Sequence, residues 1–263
     1  MVILDIFSKN ENMNTNIKKI LLIGFCALGI VACAAKDYSP NDFKDYTAKQ
    51  ILQKGEAALA KRDYTEATRY FEAIDALYPF DPEAEQGQLN AIYAYYKAED
   101  YASTLAAANR YIHLYPEGKH TDYAYYMKGV ANFDKDRTLL QRVYPKKPES
   151  LDVTNLHEAF LNLGELLNKF PKSVYVKDAE KRMLYVRNLL AEHEYQIARF
   201  YFDRKAYIAA ANRASYVVKH FEGAPQVKDS LKIMVKSYRF LDLDKQAHDA
   251  ERILRLNYPK ERI

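Results

Sequence analysis

Residues Gly55 to Pro79 read GEAALAKRDYTEATRYFEAIDALYP, and their spacing decides the fold. Apolar residues recur at i, i+3, i+4 and i+7, the period of a helix with one buried stripe. Gly55 and Ala67 are small residues 12 apart, Phe71 follows Ala67 by four, and Pro79 follows Phe71 by eight. Two helices that cross closely need small side chains at the crossing, because large ones force them apart. Proline lacks an amide hydrogen and clashes with the preceding turn, so Pro79 ends the second helix near Tyr78.

That spacing is the tetratricopeptide pattern, and it returns down the chain. Thr104, Ala108 and Pro116 keep the register 37 residues on. Gly129, Ala159 and Pro171 mark a third unit, Ala198 and Ala210 a fourth, and Val235, Ala247 and Pro259 a fifth. In the fourth unit Glu222 stands where proline is expected. The breaks at Tyr78-Pro79, Tyr115-Pro116, Phe170-Pro171, Phe221 to Pro225 and Tyr258-Pro259 resemble one another. The expected fold is all-α: five tetratricopeptide-like helix pairs in a superhelical solenoid. Gly129 and Ala159 are 30 residues apart instead of 12, so an insertion is expected at about 134–154, carrying Pro145 and Pro148 as a loop. Ser173 to Arg204 has neither glycine nor proline. Its stripe Ala179, Met183, Val186, Leu190, His193, Ile197 and Phe200 predicts one helix of roughly 45 Å, a rigid spacer between repeats 1–3 (47–172) and repeats 4–5 (173–263).

The N-terminus speaks to compartment. Lys18-Lys19 precede thirteen residues, Ile20 to Ala32, without a charge, and Ile30-Val31-Ala32 lead into Cys33. This is the anatomy of a secretory signal peptide, and its end resembles a bacterial lipobox. Thirteen helical residues rise only ~20 Å, short of a ~30 Å hydrocarbon core. An uncleaved anchor or an ordinary signal peptide is the alternative. Residues 1–32 are expected to be removed, with Cys33 carrying an N-acyl and S-diacylglycerol lipid and 33–46 forming a flexible tether. Either Met1 or Met13 could be the start. Ala34 follows the cysteine; by resemblance to enteric sorting, where aspartate there retains a protein at the inner membrane, this favours the outer membrane, facing the periplasm.

Composition narrows the function classes. Cys26 falls in the signal, which leaves Cys33 alone and excludes an internal disulfide or a cysteine-rich metal site. The formal charge of +4 is spread without a basic block, so no nucleic-acid footprint exists. The six histidines make no His-x-x-x-His or His-Glu-x-x-His pair, and neither a glycine-rich phosphate loop nor a Gly-x-Ser-x-Gly elbow occurs. No catalytic residue, metal or free cofactor is expected; the 23 tyrosines suit an aromatic-rich binding protein.

The stretch from Arg182 to Tyr201, RMLYVRNLLAEHEYQIARFY, continuing through Arg204-Lys-Ala-Tyr207 to Ala211-Asn-Arg213, is the most specific part of the chain. With the lipobox and the five-unit plan it resembles the ComL family, the outer-membrane lipoproteins of the β-barrel assembly machinery (the BAM complex). The likeness covers about Tyr46 to Tyr258; Glu251 replaces the usual aromatic in the last repeat. It implies a scaffold without enzymatic activity. Its C-terminal repeats would bind BamA, beside other BAM lipoproteins. Its N-terminal repeats would receive the C-terminal signal of unfolded outer-membrane barrel proteins. Another periplasmic tetratricopeptide lipoprotein coordinating envelope assembly is the second reading. A cell-wall hydrolase is a third, and the repeats leave it no room for a catalytic domain.

The residues also suggest where binding occurs. Nine tyrosines fall between Tyr93 and Tyr126. In the repeat register Leu89, Tyr93, Tyr96 and Lys97, then Tyr123, Tyr126, Val130 and Phe133, face the concave side, while Tyr95 and Tyr125 face the packing side. Consecutive helical residues point ~100° apart, so adjacent tyrosines cannot share one core. The substrate-peptide groove is therefore expected at Tyr93, Tyr96, Lys97, Tyr123, Tyr126 and Phe133, with Lys97 for a terminal carboxylate. Half-buried packing between repeats is the alternative use of these tyrosines. Arg213 matches an Asn-Arg pair of the family near the BamA contact, and a solvated helix face is its alternative.

Overall fold

Among the described residues, proline breaks and polar caps separate ten α-helices, and there is no strand. The computed structural model describes residues 39–135 and 152–261. The helices are α1 (Ala48–Ala60), α2 (Tyr64–Leu77), α3 (Pro82–Lys97), α4 (Tyr101–Leu114), α5 (Thr121–Asp134), α6 (Thr154–Lys169), α7 (Val176–Asp203), α8 (Tyr207–His220), α9 (Val227–Phe240) and α10 (Asp244–Asn257). Each packs on its neighbour in sequence, and the first helices of successive pairs, α1, α3, α5, α7 and α9, also touch in turn. This is the solenoid of tetratricopeptide-like pairs expected from the spacing. Cys33, the start sites and most of the insertion lie outside the described residues.

The small residues sit where the helices of a pair cross. Ala67, Thr104, Ala159 and Ala210 are fully buried, and Ala247 nearly so. A Cβ on Gly55 would lie 2.5 Å from Phe71 Cε1, and one on Gly129 would lie 2.4 Å from Leu163 Cδ2. Real carbon contacts do not come so close, so glycine sets the approach of α5 to α6.

The turns repeat as faithfully as the helices. Arg62, Glu99, Lys205 and Asp242 all have positive φ, between 56° and 62°. Each follows the first helix of its pair, and each is followed by an amide bonded back to the helix: Asp63 to Ala58 O, Asp100 to Tyr95 O, Ala206 to Tyr201 O and Leu243 to Tyr238 O, at 2.9–3.0 Å. This closure usually uses glycine, which takes a left-handed φ without cost. At the second helices the caps Tyr78, Tyr115, Phe170, Phe221 and Tyr258 share φ from −124° to −135° and ψ from 47° to 66°. Phe221 keeps this conformation although Glu222 follows it, so proline is not what holds the turn there.

Part of the stretch expected as tether is packed. Pro40–Phe43 forms a single 3-10 turn. Phe43 is buried edge-on against Tyr70, with ring centroids 5.2 Å apart. Tyr78 donates its hydroxyl to the Tyr46 carbonyl at 2.7 Å. An apolar ring close to the first helix pair gains more by burial there than by staying in solvent.

Helix α7 is unbroken for 28 residues, about 42 Å at ~1.5 Å per residue. Its buried side runs Ala179, Val186, Leu190, Ala191 and Ala198. Of the expected stripe, Met183, His193 and Ile197 are half-buried, and Phe200 at its end is 42% exposed under the Arg204 guanidinium at 3.5 Å. Steps of four and three average 3.5 residues per turn, and a straight helix of 3.6 drifts ~20° from such a line every heptad.

Candidate functional site

The first helices of the second, third and fourth pairs bring their aromatic residues to one wall. Tyr93 on α3 is 40% exposed, and the Lys97 ammonium lies 5.6 Å from its ring centre. Tyr123 and Tyr126 on α5 are half-buried beside Tyr175, which precedes α7. Tyr126 and Tyr175 stack at 4.7 Å with planes 15° apart, and Tyr123 tilts onto Tyr175 at 5.8 Å. A shallow cavity opens between Tyr93, Tyr123 and Tyr175, with Gln86, Asn90 and His120 at its edges. It is an aromatic surface with polar rims, the chemistry that accepts an extended peptide ending in a ring.

The tyrosine hydroxyls are anchored. Tyr96 donates to Asp134 Oδ2 at 2.8 Å, and Tyr126 donates to Asp178 Oδ2 at 2.6 Å. Arg182 closes the network on Asp178 at 2.6 Å. Burial first, then the bond to Asp178, pushes the Tyr126 hydroxyl up to about 12. Burial does the same to Tyr123, and burial with the Asp134 bond to Tyr96. Partial burial works against the Asp178 charge, but the bonds from Tyr126 and Arg182 outweigh it and hold the carboxyl below its usual range. Tyr96, Tyr123 and Tyr126 are therefore neutral at any physiological pH.

Two of the residues expected to face the concave side, Val130 and Phe133, do not line open surface, and Leu89 reaches the cavity with only a small part of its side chain. Leu89, Val130 and Phe133 are buried. Phe133 lies beneath the Arg182 guanidinium at 5.2 Å and against the Tyr185 edge at 5.8 Å. The cause is the side-by-side contact of α3, α5 and α7, which seals positions that a lone helix pair would leave open. Tyr125 is buried as expected, with Lys169 donating to its hydroxyl at 2.6 Å. Tyr95 turns away from the wall and donates to Glu72. Tyr175, Asp178 and Arg182 were missed, although their spacing of three and four puts them on one helical face.

Arg213 stands apart from this wall. On α8 it pairs with Glu194 of α7 at 3.1 Å; its side chain is 49% exposed and that of Glu194 only 14%. Its guanidinium joins the two helices of the fourth pair while keeping an open side.

Known proteins share this architecture in sequence. The model of the YfiO family, outer membrane lipoproteins, matches residues 44–253. The outer membrane protein assembly factor BamD of Neisseria meningitidis serogroup B is 33% identical over 246 residues, 92% of each chain. Those of Pasteurella multocida and Vibrio cholerae are 31% and 32% identical, covering 92% and 90% of this chain and 91% and 97% of theirs. The likeness read from Arg182 to Tyr201 and from the five-unit plan thus holds across nearly the whole length, and the chain belongs to the YfiO family of outer membrane lipoproteins.

Proposed function

We propose that this protein is a non-enzymatic scaffold of outer-membrane protein assembly, tied to the outer membrane by lipid on Cys33 and facing the periplasm. The observation that carries this reading is its similarity, over nine-tenths of the chain, to proteins named as outer membrane protein assembly factors. The tyrosine wall supports a further step, in which it takes the C-terminal aromatic signal of an unfolded barrel protein. Tyr93, Tyr123, Tyr126 and Tyr175 offer rings, and Lys97 a cation for the terminal carboxylate. Phe133 no longer belongs to this set as contact surface. BamA would bind the C-terminal pairs. Arg213 suits that role because a guanidinium has five N–H donors in a fixed fork. One face can hold Glu194 while the rest meets a carboxylate of the partner.

Depletion of the protein tests the reading, with outer-membrane barrel proteins quantified and BamA captured on the tagged chain. Falling barrel-protein levels and recovery of BamA are expected. A normal barrel complement would favour the second reading, another envelope-assembly lipoprotein of the same fold. Arg213→Leu should lower BamA recovery without unfolding the chain, and unchanged recovery would remove the residue from the interface.

A further inference from the structure

On the far side of α3 from the tyrosine wall, a second cavity of about 320 Å³ opens between α2, α3 and α4. Tyr95 lines it, whereas Tyr93, two positions earlier and ~200° round the helix, belongs to the wall. Its apolar sides are Phe71 and three alanines, Ala91, Ala106 and Ala107. Apart from the Ser103 hydroxyl, the side-chain donors that line it are already engaged by carboxylates. Tyr95 donates to Glu72, Gln88 Nε2 donates to Asp75 Oδ1 at 2.9 Å, and the Arg110 guanidinium holds Asp75 Oδ2 at 2.7 Å.

What remains open is an acceptor. Gln88 is 8% exposed, and its Oε1 is buried without a hydrogen-bond partner. A buried amide oxygen left so costs about 1–3 kcal/mol, and such orphans in folded proteins call for a partner. Two carboxylates stand around it against one arginine. The missing component is a cationic donor on an apolar stem.

We propose that this cleft docks a lysine or arginine side chain of an extended partner polypeptide. The stem lies along Phe71 and the alanines, and a small turn of the Gln88 amide, whose Oε1 is enclosed while the cleft is empty, lets that oxygen accept from the charged head within the field of Glu72 and Asp75. The cavity is at the low end of the ~300–1,000 Å³ of ligand sites, which suits one long side chain. Arg110, 56% exposed at the mouth, repels a second cationic end, so the charge complementarity favours a monocationic side chain over a free diamine. The site is separate from the tyrosine wall and does not depend on what the wall binds.

The test uses the full chain with carbon-13 alanine methyls and three probes. These are a capped Ala-Ala-Lys-Ala-Ala peptide, the same peptide with norleucine for lysine, and 1,5-diaminopentane. The Ala91, Ala106 and Ala107 methyls should shift together with the lysine peptide, and binding of the norleucine peptide should be about tenfold weaker, the scale of one charge-assisted bond. Gln88→Met should weaken the lysine peptide by about the same factor with melting unchanged. Should that variant misfold, Glu72→Gln, which keeps an acceptor for Tyr95, carries the same expectation. Equal binding of lysine and norleucine peptides, full affinity in a folded variant, or silent methyls would overturn the proposal. Diaminopentane binding as tightly as the peptide would assign the cleft to a free cation and overturn it too.

Discussion

In α3, α5 and the start of α7, neighbouring first helices meet through rings, and hydroxyls of Tyr96 and Tyr126 reach carboxylates on the next helix. At the other end, ion pairs reinforce α10 and tie α9 to it and to Glu261 beyond it. Arg239 and Arg255 both hold Glu251 at 2.5 Å, and Lys228 and Lys232 hold Glu261 at 3.0 and 2.6 Å. The helix-pair plan is the same in both regions. The seal differs: neutral donors and stacked rings in one, ion pairs of lysine and arginine in the other. A solenoid lets each joint choose its own chemistry, since each pair contacts only its neighbours.

The turns differ in the same direction. Asp63 and Asp100 cap α2 and α4, each accepting an amide at 3.0 Å. Ala206 and Leu243 occupy the equivalent positions before α8 and α10 and offer no side-chain cap.

The largest expected effect falls in the tyrosine-rich half. Gly129→Ala gains about 1 kcal/mol of helix propensity but overpacks Leu163, at a cost of about 1–3 kcal/mol that leaves a net loss. Gly164→Ala is the control: its Cβ would meet only Met183 Cε at 3.7 Å, so it should be neutral or stabilising. Urea unfolding of both variants checks this, and equal stability would mean that the crossing of α5 and α6 relaxes freely. Next, Tyr93→Ala with Tyr123→Ala should weaken a barrel-protein C-terminal peptide by about tenfold, on the scale of an aromatic contact, with a smaller effect on melting. Tyr93 is a cleaner probe than Tyr96 or Tyr126, whose hydroxyls also hold the wall together. Unchanged affinity by calorimetry would return these rings to packing alone. A similar scale applies to the caps. Asp63→Ala and Asp100→Ala should each cost about 1 kcal/mol, and Ala206→Asp, at φ −81° and ψ 63°, should recover about as much in the C-terminal half.

The smallest effect sharpens the contrast in sealing chemistry. Asp178 and Glu251 are both held below the usual carboxylate range, Glu251 by Arg255 first and then Arg239. A depressed folded value adds stability above the unfolded pKa, near 4, which is lost as pH falls through the folded value. Glu251 is paired with two arginines, whereas Asp178 is paired with one arginine and a neutral tyrosine hydroxyl. High salt should therefore raise the Glu251 midpoint more than the Asp178 midpoint in a carboxyl-carbon titration. Equal shifts would show that both ends are sealed by charge alone.

Much of this was legible in the chain. The small residues at 67, 104, 159, 210 and 247 and the aromatic caps follow from a local requirement, close crossing and helix arrest, that leaves its mark at fixed spacing. The left-handed turns were not legible, because Arg62, Glu99, Lys205 and Asp242 are not glycines and the conformation is imposed by the helices they join. At the wall Tyr93, Tyr123 and Tyr126 could be placed from one helix at a time. Phe133 could not, since its burial depends on Arg182 and Tyr185, some 50 residues on. Cross-repeat contacts leave no periodic trace within a single helix.

Helix α7 has one further consequence. Its first turns hold the tyrosine wall through Asp178 and Arg182, and its last turns pair with α8 through Glu194. An uninterrupted helix carries any tilt at one end to the other. A tilt of about 5° at Tyr175 would carry Asp203 by about 4 Å over its ~42 Å length. Occupancy at the wall and geometry at Arg213 would then share one degree of freedom.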